Sequence, residues 1–330
     1  MLLLVMMAWL PAFAGSLSTD YPEYQLSFNY LTYLDIINID EQRMEPGFVL
    51  SMYLLKNIGL SFTGFLFILL LFENYFFIKY IESDWFSVLT FSCFILGSLY
   101  NQESNVVRQL FSISLLVFSI RYIYCNQLFK YVIIILIASL FHKSAIILLP
   151  LFYLHKIPNI EKGLISIWVI SFLLRSFGFK LDFSLFFSFL DNTGSVYASY
   201  EDYEEAAKSG VFQFFLLNTL QIPVTYILLK GNISLENKVK LILITVATII
   251  DNTTYSIPIM YRLSWYFNIF TISTPSVLAY YFKKNNFVFL YIGILTFFIM
   301  LNFNSFRAKS FHSSNIGVGA KILNWSEAFK

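Results

Sequence analysis

Apolar runs of similar length, parted by short polar breaks, recur along nearly the whole chain. They predict helices at about residues 60–80, 85–100, 105–124, 129–141, 144–155, 163–180, 211–230, 239–256, 258–282 and 286–304. A bilayer crossing takes about 20 apolar residues. A shorter run at 2–14 ends in Ala-Phe-Ala-Gly like a cleavage site, but no positive stretch precedes it. It reads as a first membrane helix rather than a removed leader. Two polar stretches, about 15–58 and 181–210, read as long loops. Within the first, Glu45-Pro46-Gly47-Phe48 marks a helix start, since Pro suits the first turn. The helix it opens, 46–56, is too short to cross and is expected at the interface. Pro158, Pro223, Pro258 and Pro275 fall near the ends of runs or inside them, where kinks are expected. The fold class is all-α: one polytopic membrane domain over 1–330 with roughly 10–11 transmembrane helices and two long outer loops.

Composition agrees. Of 330 residues, 58% are hydrophobic and 13% charged, too few charges for a soluble surface of this size. Lipid-exposed backbone must bond within helices, which favours a helical bundle. P-loop, GxGxxG and HExxH patterns are absent from the sequence. Cys93 and Cys125 lie in separate apolar runs without metal or disulfide spacing, and both read as small packing residues. No metal and no cofactor is expected.

Charge decides the threading. The short runs 129–141 and 144–155 are either two crossings or one crossing broken at His142. With two crossings and a cytoplasmic N-terminus, Lys79, Arg121, Lys130, Lys156, Lys162, Lys230, Lys238, Lys240, Lys283 and Lys284 all face the cytoplasm. Most acids then face outward, as the positive-inside asymmetry favours. One crossing would turn the later lysines outward, so the chain is expected to turn back at Phe141–Ser144. The tail with Arg307, Lys309, Lys321 and Lys330 then lies outside, against the trend.

Under that threading Glu45, Arg108, His142, Lys143, Arg175 and Arg262 all approach outer helix ends. Charge in apolar sequence is costly and often functional. Arg108 opens a helix, where a guanidinium and free N–H groups suit a diphosphate, or where it anchors to headgroups. Arg262, in MYRLSWYF, is deeper. An imidazole can deprotonate a hydroxyl near neutral pH, so His142 is a candidate base, or else it caps a turn beside Ser144. Glu45 is a base or a carboxylate held by the helix start. Arg175 reads as a loop anchor, and Asp251-Asn252-Thr253-Thr254 as an outer polar turn able to meet hydroxyls. His155 reads as a boundary residue. Tyrosines and carboxylates together suit sugars, whose C–H faces pack on rings.

In order, the chain carries DYPEY, EPGF, NVVRQLFSISLLVFS, IASLFHKSAIILLPLFYL and MYRLSWYF. Over about residues 10–305 this resembles the EpsG family of Wzy-type polysaccharide polymerases of capsule, exopolysaccharide and O-antigen synthesis. The resemblance implies a multi-pass protein of the bacterial cytoplasmic (inner) membrane. It implies transfer of a growing glycan from undecaprenyl diphosphate to a lipid-linked oligosaccharide repeat unit at the outer face. The enzyme would be a metal-independent glycosyltransferase, because the donor carries its own leaving group. Arg108 and Arg262 would hold the diphosphate, and His142 or Glu45 would activate the acceptor hydroxyl. Asp20, Tyr21, Tyr24, Lys143, Arg175 and Asp251 are the candidate substrate contacts. Partners implied are the lipid-linked oligosaccharide, membrane lipid, a flippase and a chain-length regulator, with no nucleic acid. Competing readings are an O-antigen ligase, a membrane sugar O-acyltransferase and a non-enzymatic flippase of lipid-linked sugar. The flippase reading expects charges along a path to both faces, whereas these gather at one.

Overall fold

The computed structural model describes residues 8, 12, 21–37, 44–80, 106–179, 211–255, 258–272 and 274–284, and each described element is helical. The first expected loop is more helical than expected: besides the helix expected at 46–56, found as α3 (Pro46–Asn57), it holds α1 (Tyr21–Tyr30) and α2 (Tyr33–Ile37). Tyr24 and Phe28 are buried, so α1 packs inward, and Lys56 ties α3 to the carbonyls of Asn29 and Leu31 at 2.6 and 3.0 Å. Next come α4 (Phe62–Tyr80), α5 (Val107–Tyr124) and α6 (Leu128–Phe141). The expected helix at 144–155 is instead a 3-10 segment, Lys143–Leu148, followed by the single turn α7 (Leu151–Leu154). Then follow α8 (Ile160–Ser176), α9 (Val211–Lys230) and α10 (Leu235–Thr254). The run expected at 258–282 is broken into α11 (Pro258–Asn268), a 3-10 turn (Ile269–Ile272) and α12 (Thr274–Lys284). The expected helices at 85–100 and 286–304 and the loop at 181–210 lie outside the described residues.

Local chemistry explains several ends. Asn126 adopts φ 54°, a left-handed value that Asn tolerates, and turns α5 into α6. Ser234 caps α10 by accepting from the Asn237 N–H at 3.3 Å. Pro258 opens α11 and Pro275 lies in the first turn of α12, so these prolines start helices rather than kink them. Pro223 sits inside α9.

The chain does turn back at His142. Tyr131 donates to the Leu148 carbonyl at 2.6 Å, its ring lies 5.7 Å from Phe152, and Lys156 reaches the Asn126 side chain at 2.7 Å. Each pair is centred near residue 141, which is the signature of a hairpin. The outward leg of 14 residues rises about 21 Å. A 3-10 helix rises about 2.0 Å per residue, so the shorter return leg covers nearly the same depth.

Helix directions follow from side-chain pairs. Ser112 donates to the Ala138 carbonyl at 3.1 Å and Phe111 meets Phe141 at 4.4 Å, so α5 and α6 are antiparallel. Glu161 pairs with Lys238 and Arg175 with Asp251, so α8 and α10 run parallel, clamped near both ends. Gln221 bonds Thr245 at 2.7 Å and Asn218 bonds Asn252 at 3.0 Å, which sets α9 antiparallel to α10. Lys240 lies over the Tyr80 ring at 5.3 Å. Tyr80, Lys156, Glu161, Lys238 and Lys240 thereby share one end of the bundle. Arg108, His142, Arg175 and Asp251 lie toward the other.

Among the described residues, Phe62–Tyr80 is the one helix that by length and composition could cross a membrane. α5 and α10 have comparable length but carry Arg108 and Arg121, or Glu236, Lys238, Lys240 and Asp251, within two turns of their ends. Apolar side chains also point outward: Phe129 is 78% exposed, and Ile133, Leu136, Ile137, Ile167, Ile170, Ile222 and Leu229 are all exposed. Apolar area on this scale needs a covering medium.

Candidate functional site

Four elements converge at the lysine-poor end. The EPGF stretch supplies the carboxylate, and each of its residues has a physical reason. Pro46 sets the first turn of α3. A Cβ on Gly47 would lie 2.8 Å from both the Cβ and the carbonyl oxygen of Leu140, so only glycine lets α3 abut the end of α6. Phe48 is fully buried and anchors the helix. Glu45 makes no side-chain cap to its own helix. Its carboxylate turns instead toward α5 and the break after α6.

There it is shared. Arg108 Nη1 donates to Glu45 Oε2. His142 Nδ1 lies 3.0 Å from Oε1, and the Lys143 N–H approaches the same oxygen at 3.4 Å. A carboxylate only accepts, so Nδ1 carries the hydrogen, and in the neutral ring Nε2 is then the nitrogen with a lone pair to offer. The break makes this possible: His142 has extended backbone, φ −154° and ψ 112°, between two helical segments. Arg108 also donates from Nε to the Tyr24 hydroxyl at 3.2 Å, with its guanidinium over that ring at 5.5 Å. The Glu45 side chain is 9% exposed, against 23% for Arg108 and 27% for His142. The acid is thus enclosed while the cation and the imidazole reach the surface.

Burial would push the Glu45 carboxyl up, but the His142 hydrogen bond and the Arg108 charge outweigh it and hold it at about 2. Such a carboxylate is a poor proton acceptor near neutral pH. Glu45 fits an orienting role better than that of a base.

The remaining candidates divide. Tyr24 lies beneath Arg108 rather than open to a ligand, and Tyr21 packs edge-on against Phe62 at 5.0 Å. The Lys143 side chain is exposed. Arg175 is not a loop anchor. Its side chain is 7% exposed, bonded to the Asp251 carboxylate at 2.6 Å and carbonyl at 2.8 Å, and packed on the Phe214 and Tyr255 rings. Asp251 and Asn252 are not in a surface turn either; they are buried in the last turns of α10. Asn252 joins a closed network in which Trp168 Nε1 donates to Asn218 at 2.8 Å and Asn252 donates to Ser171 at 3.2 Å. This second cluster binds helices to one another. Cys125 is exposed, not packed, because it falls at the end of α5 beside the left-handed Asn126. Arg262 lies in α11 one turn before Tyr266, and its side chain lies outside the described residues, as do Asp20 and Cys93. Among the described residues no group of His, Cys, Asp and Glu is arranged to hold a metal ion.

A group that sequence reasoning passed over lies just under the cluster. Tyr266 is fully buried, with its hydroxyl 3.0 Å from Ser144 Oγ and 3.5 Å from Ser112 Oγ. The available signal was spacing: Ser112 follows Arg108 by four residues, and Tyr266 follows Arg262 by four.

Compared with known proteins, the chain matches the model of the EpsG family over residues 1–316. No curated protein matches it, and no solved structure does.

Proposed function

The chain belongs to the EpsG family, and on that premise we propose that it is a multi-pass polysaccharide polymerase of the bacterial cytoplasmic membrane. It transfers a growing glycan from undecaprenyl diphosphate to a lipid-linked repeat unit at the outer face. The observation that carries this reading is the Tyr24–Arg108–Glu45–His142 cluster at the lysine-poor end of an apolar-surfaced bundle. The chemistry balances without a cofactor. The acceptor hydroxyl oxygen attacks the anomeric carbon, and the bond from that carbon to the diphosphate oxygen breaks. His142 Nε2 takes the hydroxyl proton, with Glu45 holding the ring from Nδ1. Arg108 faces the charge that develops on the departing diphosphate. Arg262, one turn from Tyr266, is the candidate second cation. Asp20, Tyr21 and the exposed Lys143 are candidate glycan contacts, while Tyr24 serves through Arg108. Apolar faces between helices would hold the polyprenyl chains.

Purified full-length protein in lipid nanodiscs, given a synthetic undecaprenyl-diphosphate-linked oligosaccharide, is expected to yield a ladder of longer glycans. One undecaprenyl diphosphate is released per linkage. Transfer to a lipid A core would favour the ligase, and acyl transfer the O-acyltransferase. Movement of intact lipid-linked sugar without chain growth would favour the flippase.

The threading makes its own prediction. With Cys93 and Cys125 replaced by Ser, a single cysteine at Lys143 is expected to react with an impermeant maleimide on intact spheroplasts. Cysteines at Lys156 or Lys230 are expected to react only after permeabilisation. Labelling of Lys143 and Lys156 from the same side would remove the outer-face site.

A further inference from the structure

We infer that Tyr266 is a positioning residue that sets the mutual register of the three elements carrying the proposed catalytic groups. The inference rests on the polymerase reading but on different atoms. The Tyr266 hydroxyl touches Ser112 on α5 and Ser144 on the 3-10 segment, and Tyr266 itself stands on α11. Each of these positions lies close along its own element to a proposed group. Ser112 is one helical turn below Arg108, Ser144 is two residues past His142, and Tyr266 is one turn past Arg262.

The hydroxyls have a defined direction. Ser112 gives its hydrogen to the Ala138 carbonyl at 3.1 Å, the residue one turn before His142. Its oxygen is therefore an acceptor for Tyr266, and Ser144 completes the set. The ring is walled in with no solvent exposure, so the phenol cannot trade these partners for water. Among the described residues the 3-10 leg packs mainly back on α6, where Tyr131 holds the Leu148 carbonyl, and meets α5 far less. Without the phenol hydroxyl, the break that presents His142 and the helix that carries Arg262 lose their common reference. Misplacement on the scale of 1 Å is enough to cost about 10²-fold in rate.

The test uses the full-length protein in nanodiscs with the lipid-linked oligosaccharide as substrate. Tyr266→Phe keeps the ring and is expected to fold with a thermal midpoint close to that of the parent. Its kcat is expected to fall at least about tenfold with KM little changed. Ser144→Ala is expected to fall in the same direction, and the double variant to be no worse than Tyr266→Phe alone, because both remove one linkage. Parent-like kcat in Tyr266→Phe, a loss wholly in KM, or multiplicative losses in the double variant would each overturn the inference. If Tyr266→Phe does not fold, Ser144→Ala decides it by the same split between kcat and KM. Absence of chain growth in the parent protein would overturn the polymerase reading and this inference with it, whereas chain growth in the parent with a parent-like Tyr266→Phe would overturn this inference alone.

Discussion

Arg108→Ala is expected to lower release of undecaprenyl diphosphate by about 10²–10³-fold, the usual cost of removing one donor aimed at developing charge. Two effects add. The departing diphosphate loses its cation, and the enclosed Glu45 carboxylate keeps only His142 and a long contact to the Lys143 N–H. Arg108→Lys separates them. A lysine restores positive charge but not the fork that serves Glu45 through Nη1 and Tyr24 through Nε at once. It is expected to keep native stability near that of the parent while recovering only part of the rate. The measurements are single-turnover release in nanodiscs and the thermal midpoint of each variant. A folded Arg108→Ala protein releasing product within threefold of the parent would remove Arg108 from the chemistry.

The sequence made the helices legible where hydropathy and length agree. Phe62–Tyr80, Val107–Tyr124 and Leu128–Phe141 lie within a few residues of their predicted bounds. It misled where one apolar run hides a change of helix type. Hydropathy cannot distinguish the 3-10 leg Lys143–Leu148 from an α-helix, nor see the interruption at Ile269–Ile272. It misled again at 21–37, where polarity stood for a loop although two helices form there and Tyr24 and Phe28 are buried.

The site was legible as a set of residue types but not as a set of partners. Glu45 and His142 are 97 positions apart and Arg108 lies between them. Arg108 and His142 depart from apolar surroundings and Glu45 stands at the EPGF helix start, which is why each could be singled out. That one carboxylate serves both the guanidinium and the imidazole depends on Gly47 meeting Leu140, a contact no single-sequence pattern records. Arg175 and Asp251 show the converse. The same cost of buried charge that marks a functional residue also marks a pair that clamps α8 to α10. Charge in an apolar run therefore locates an interaction, and geometry decides whether that interaction is open to a ligand.

Glu45→Gln tests the pairing most directly. Glutamine keeps the shape and can still accept from Nδ1, but it offers no charge to the imidazolium that forms as His142 takes a proton. Chain growth is expected to fall by about 10²-fold or more, toward the about 10²–10⁴-fold loss expected for His142→Ala. The double variant should be no worse than His142→Ala, since groups acting as one unit are not additive. Linkage supplies a second signature. The Glu45 carboxyl is lowered from 4.5 to about 2, worth about 3 kcal/mol in favour of the folded chain. A lowered carboxyl stabilises fully above its unfolded value, so this contribution is complete above about 4.5 and is lost as pH falls toward 2. Acidified over that window, the parent should lose thermal stability faster than Glu45→Gln, while neither changes through Glu45 between pH 5 and 8. Parent-like rates in Glu45→Gln, or losses that multiply in the double variant, would mean that Glu45 does not act through His142.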